Sequence, residues 1–135
     1  MFMKQKRPQT LLEVSQLGKH HGNYDAFLRE WVDEVDKVTD GEQKRLMVLD
    51  EPIVLDHPIA NAYLAAVAEY VCRMASVRPP TWTEKDKYFL TRPHFGSSLQ
   101  SHKALLIAQS PSAFRRRMIF VDNYPLSRPH YKTSA

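Results

Sequence analysis

The segment from Pro58 to about Val77 constrains this chain more than any other. Ile59, Ala62, Tyr63, Ala66, Tyr70, Val71 and Met74 recur at helical spacing and share one face. Leu64, Val67 and Ala68 carry apolar surface around most of the remaining circumference. Only Asn61, Glu69 and Arg73 interrupt it. A helix that is apolar nearly all round must be surrounded by other elements. The expected fold class is therefore all-α, a compact bundle of five to six helices with irregular connections and this helix in the middle. Asp56 or His57 is placed to cap it, and Pro58 suits the first turn.

At 135 residues the chain is one domain's worth of sequence, enough to bury a core without disulfide or metal staples. The expected layout is a basic flexible arm over 1–9, one helical domain over 10–128 and a mobile tail over 129–135. Inside the domain, Leu11, Leu12, Val14 and Leu17 predict a short helix that ends at the Gly18–Gly22 punctuation. Asn23 is an N-cap residue for a helix with Tyr24, Phe27, Leu28, Trp31, Val35 and Val38 inward. Glu30, Asp33, Glu34 and Asp36 form its acidic outer face. Asp40 and Gln43 have capping-box spacing, which predicts a helix over 41–49 with Leu46 and Leu49 inward. Arg78-Pro79-Pro80 stops the central helix, and a short helical piece is expected near Glu84–Leu90. Further helices are expected from Ser97 or Ser98 to about Gln109, and after Ser110-Pro111. Met118–Val121 could continue the last one or turn extended.

Composition removes several function classes. The four glycines lie too far apart for a phosphate-cradling loop. The single cysteine, Cys72, excludes an internal disulfide, fits a reducing compartment and falls inside the apolar helix, where packing is its expected role. No apolar run approaches membrane-spanning length, and the first residues lack the apolar stretch of a signal peptide, so the expected location is cytoplasmic. His20, His21, His57, His94, His102 and His130 show no metal-ligand spacing, and none follows an Arg by four to six residues, as small helical ribonucleases require. No metal, no cofactor and no catalytic residue are implied.

The formal charge of +4 conceals an asymmetry. Residues 1–70 hold 8 basic and 12 acidic residues, and residues 71–135 hold 11 basic and 3 acidic ones. Such a split points to an acidic partner or a nucleic acid at the basic end, or simply to two unequal solvated faces. Arg115-Arg116-Arg117 is the densest basic feature. On a helix these three span about 200° of the circumference, too wide for one internal salt bridge. Arginine is suited to forked contacts with carboxylates or phosphates. The structural alternative is that this helix pairs with the acidic face of Tyr24–Val38. Phe114, Ile119 and Phe120 are expected to anchor the cluster to the core. A helix-turn-helix around 97–120 is a weaker reading of the same region.

The second half also resembles a group of small bacterial proteins with a shared closing signature. Here it reads Ser110-Pro111-Ser112-Ala113-Phe114-Arg115-Arg116-Arg117-Met118-Ile119-Phe120-Val121, followed by Leu126-Ser127-Arg128. Ala62–Ala66, Pro80-Thr81-Trp82 and Phe89-Leu90-Thr91-Arg92-Pro93-His94-Phe95 match further elements in order. The match covers about 58–128 and departs at Met118, where the group usually has Asn. Residues 1–21 lie outside it. The resemblance implies a companion of a nucleotidyltransferase-like protein in toxin–antitoxin-like or defence loci. The implied function is a non-enzymatic, antitoxin-like partner that binds and restrains its cognate toxin. Arg115, Arg116 and Arg117, with Arg92 and Arg128, are the expected partner-binding residues. A nucleic-acid-binding regulator using the basic half is the alternative. The toxic effector itself ranks last, because the residues supply no active site.

Overall fold

The computed structural model describes residues 7–95 and 110–121. Five α-helices stand among them: α1 (Leu11–His21), α2 (Tyr24–Asp36), α3 (Gly41–Leu46), α4 (Pro58–Met74) and α5 (Ser112–Arg115). Two 3-10 turns follow α4, at Thr81–Glu84 and Asp86–Tyr88. The two-residue strands β1 (His94–Phe95) and β2 (Ile119–Phe120) pair in parallel, His94 opposite Ile119 and Phe95 opposite Phe120. The architecture is all-α, as the apolar periodicity predicts. The helix expected over 97–109, with the helix-turn-helix reading built on it, falls largely outside the described residues, as do the tail and the first six residues of the arm.

α4 is the centre. Ten of its residues are buried, from Ala60 to Cys72. α3, α5 and both 3-10 turns pack directly on it. Its run of small alanines lets them approach closely, and apart from Glu69 its buried side chains are apolar, so that contact costs little desolvation. Ile59 and Met74, expected inward, are exposed in its first and last turns. The helix also ends at Met74, before the expected Val77. Ser76 adopts φ 58°, the Val77 N–H donates to the Cys72 carbonyl at 2.9 Å, and the Ser76 N–H donates to Arg73 at 3.1 Å. This is a Schellman cap with serine where glycine is usual. Ser76→Gly should therefore raise stability by about 0.5–1 kcal/mol, read as a higher urea midpoint. An unchanged or lower midpoint would show that the cap is unstrained.

α1 is longer than the glycines suggest. Thr10 and Glu13 form a complete capping box at its start. The helix then runs through Gly18 and stops at Gly22, whose φ of 71° is left-handed. Gly18 is instead a point of close approach: a Cβ there would lie 2.5 Å from the Cβ of Tyr24. α1 and α2 pack against each other across it, with Leu28, Trp31, Val32 and Val35 of α2 buried. The last residues of the expected arm belong to this unit. Pro8 is buried, Arg7 pairs with Asp33 at 3.5 Å and Glu34 at 3.4 Å, and the Gln9 N–H donates to Glu13 at 2.8 Å.

α3 is shorter than expected, and its inward residues differ. Leu46 and Leu49 are exposed, while Met47 and Val48 are buried. The chain leaves the helix at Met47, and the two carbonyls there are captured by the rest of the fold. The Leu11 N–H donates to Met47 at 3.0 Å and the Trp82 indole N–H donates to Val48 at 3.0 Å. The helical piece expected near Glu84–Leu90 is replaced by the two 3-10 turns. Met118, at φ 65°, turns the chain out of helix, so the Met118–Val121 stretch runs extended into β2.

Candidate functional site

The arginine segment is clipped onto the core at both ends. The Ser110 hydroxyl donates to the Val121 carbonyl at 2.8 Å and accepts from the Val121 N–H at 2.9 Å. One hydroxyl thus closes the loop that carries α5. Phe114 is fully buried, and its ring meets Tyr63 and Tyr70 of α4 edge-on at 5.4 and 5.7 Å. Phe114 and Arg117 are three residues apart and share the inward side. Arg115 faces outward.

Arg117 is completely buried. Its guanidinium donates to the Glu69 carboxylate, to the Ala113 carbonyl at 2.7 Å and to the Thr83 carbonyl at 2.7 Å. It also lies 4.7 Å from the centre of the Phe89 ring. Glu69, on α4, is equally buried and serves three cations. Besides Arg117 it accepts from Arg116 at 3.0 Å and from the Arg73 Nε at 2.6 Å. Burial opposes its ionisation, but hydrogen bonds from Arg117 and Arg73 and the neighbouring positive charge outweigh burial. The Glu69 carboxyl is held below the usual carboxylate range. Burial pulls the Arg117 pKa downward, yet guanidinium stays protonated at any ordinary pH. Arg116 spans inside and outside. It reaches Glu69 inward and forks onto Glu84 outward, at 2.8 and 2.6 Å.

These positions correct the sequence-based assignment. Arg117 is a core residue of this chain, not a docking residue, and much of Arg116 is spent internally. The acidic face of α2 is not their partner either; that face takes Arg7 and Lys37. The missed residue is Glu69. The sequence did carry its signal, a lone carboxylate in an apolar helix. A buried charge needs a partner, and the only question was which cation supplied it.

The same closure occurs at Glu51. It accepts from Lys85 at 2.7 Å and from the Tyr88 hydroxyl at 2.5 Å, and pairs with Lys87 at 3.1 Å. Burial opposes its charge, and these donors overcome it, lowering its pKa to about 2. Burial and the Glu51 carboxylate together push the Tyr88 hydroxyl well above its usual pKa. The charge asymmetry of the sequence is thus met in part by ion pairs between the halves. Glu51 and Glu69 come from the acidic half, and they pair with Lys85, Lys87, Arg73, Arg116 and Arg117 of the basic half, two negative charges against five positive ones.

Arg92 and Arg115 are left over. Both are exposed, and neither has a carboxylate partner among the described residues. The Leu90 N–H donates to the Arg117 carbonyl at 3.4 Å and the His94 N–H donates to Met118 at 2.8 Å. Arg92 therefore lies in a loop tied at both ends to the segment that carries Arg115 and Arg116. Arg128 lies outside the described residues.

No family model, characterised protein or solved structure matches the chain. Other chemistry is correspondingly local. Cys72 is buried and its thiol is pushed up to about 11, chiefly by burial, which suppresses the nucleophilic thiolate. Among the described residues, no three His, Cys or carboxylate side chains converge as a metal-ligand set. Nor is any described helix long and apolar enough to cross a membrane.

Proposed function

We propose that this chain is a non-enzymatic, antitoxin-like partner protein. It docks on an acidic surface of a cognate toxin of nucleotidyltransferase type, in the cytoplasm, and restrains it. The observation that supports the reading is that Arg92 and Arg115 are both exposed on an edge formed by two segments tied together by the Leu90–Arg117 and His94–Met118 backbone hydrogen bonds. Neither has a carboxylate partner among the described residues, while nearby Arg117 is ion-paired internally with Glu69. Exposed guanidinium groups with no carboxylate of their own among the described residues are suited to receive carboxylates from a partner. Each contact that becomes desolvated supplies about 1.5–3 kcal/mol. The sequence resemblance supplies the class of partner. Arg117 acts only as the support beneath the edge.

Co-expression with the product of the adjacent gene tests the reading. The expected result is a complex that co-purifies and survives nuclease treatment. Arg92→Glu combined with Arg115→Glu should dissociate it while leaving the far-UV circular dichroism unchanged. No complex, together with salt-dependent retention of DNA or RNA, would sink the partner reading in favour of the regulator.

A further inference from the structure

The outer half of the Arg116 pair has a different character from the inner half. The Glu69 side chain is 1% exposed, whereas the Glu84 side chain is 52% exposed. Arg116 does not need Glu84 to hold its place. It is anchored inward by Glu69 at 3.0 Å and lies 5.3 Å from the Phe89 ring centre. Glu84 meets it as a two-pronged fork at 2.6 and 2.8 Å. That geometry is how a guanidinium receives a carboxylate from any source. Water competes for the exposed Glu84 carboxylate, and the two-pronged geometry places the pair at the upper end of surface bridges. Arg115 adjoins Arg116 in the chain and Arg92 lies in the loop hydrogen-bonded to Arg117 and Met118; both are exposed and have no carboxylate of their own among the described residues.

We propose that Glu84 is an internal placeholder, and that an acidic peptide segment of a partner protein displaces it from Arg116. The incoming carboxylate takes the fork, and flanking acidic residues of the same segment meet Arg92 and Arg115. Glu84 then acts as a built-in competitor that weakens binding until several carboxylates arrive together. The fork already holds a carboxylate, which is why a carboxylate is proposed as the ligand; a phosphate fits the same two-pronged geometry, and the oligonucleotide arm of the test below separates the two. This inference rests on the docking reading above and adds the ligand chemistry and the competition.

The test uses the full chain and a labelled hexaglutamate peptide, followed by fluorescence anisotropy at low salt. Glu84→Gln should tighten binding about threefold, the size of an exposed ion pair. Arg116→Lys keeps the inner charge but cannot form the fork, so in the Glu84→Gln background it should remove the gain. Glu42→Gln, which deletes a carboxylate on α3, should leave affinity unchanged. Equal gains from Glu42→Gln and Glu84→Gln would reduce the effect to net charge and overturn the exchange. So would an unchanged affinity in Glu84→Gln. If Arg92→Glu with Arg115→Glu abolishes binding while Glu84→Gln does nothing, docking stands and the exchange falls. If Glu84→Gln tightens binding and the double variant binds normally, the exchange stands on Arg116 and the Arg92–Arg115 docking edge falls. A gain seen for a single-stranded oligonucleotide but not for hexaglutamate would overturn the acidic-peptide assignment.

Discussion

Glu69→Gln is expected to cost about 3–5 kcal/mol of folding stability. The substitution preserves shape and leaves Arg117 buried with its main counter-charge gone. Arg73 and Arg116 can turn to water, since both are partly exposed, but Arg117 is 0% exposed and cannot. Domains of this size are stable by about 5–15 kcal/mol, so the variant should lose a large part of its cooperative unfolding transition in urea. A loss below about 1 kcal/mol would mean that the pair behaves like a surface bridge. The companion experiment removes both charges. Glu69→Leu with Arg117→Met should recover part of the loss, because apolar side chains of similar volume need no counter-charge, while the Ala113 and Thr83 carbonyls lose a donor. The pH dependence has a definite sign. A carboxyl whose folded pKa is lowered stabilises the fold above its unfolded value near 4.5, and that stability is lost as pH falls through the folded value. The parent should therefore lose stability below about pH 4.5, and the double variant should lose less of it there.

Phe114→Ala should be comparably severe, at about 3–5 kcal/mol. The ring is fully buried against Tyr63 and Tyr70 and is the main apolar anchor of α5. Four residues of helix have no stability of their own, so the arginine segment holds its shape through tertiary contacts: this ring, the Ser110 clip, the Arg116 and Arg117 bonds and the pairing of β2 with β1. Phe114→Leu should cost less than about 1.5 kcal/mol, because volume is nearly kept. The two variants separate packing from electrostatics. Phe114→Ala should lower the stability at every pH, whereas Glu69→Gln also flattens the acid limb. Equal stability of parent and Phe114→Ala in urea would refute the anchoring role.

Much of the bundle was legible because helices and caps are local. The apolar circumference of 58–74 announced a buried helix. Asn23 and Asp40 marked helix starts that the structure reproduces. What failed was also physical. Gly18 was read as a break, yet its missing Cβ serves contact with Tyr24, which no local pattern encodes. Leu46 and Leu49 have helical spacing with each other, but the chain leaves the helix at Met47 because distant donors on Leu11 and Trp82 capture the carbonyls there.

The arginine site shows the division most plainly. The sequence by itself determined that α4 is central, that one carboxylate is stranded within it, and that three adjacent arginines must diverge. Only the tertiary structure decided their fates. Arg117 goes inward to Glu69, Arg116 bridges Glu69 and Glu84, and Arg115 stays outside. The pairing joins residues 48 apart in the chain. Hydrophobic periodicity reports which side of a helix is buried, but a buried charge is satisfied by whatever cation the packing of other elements delivers to it.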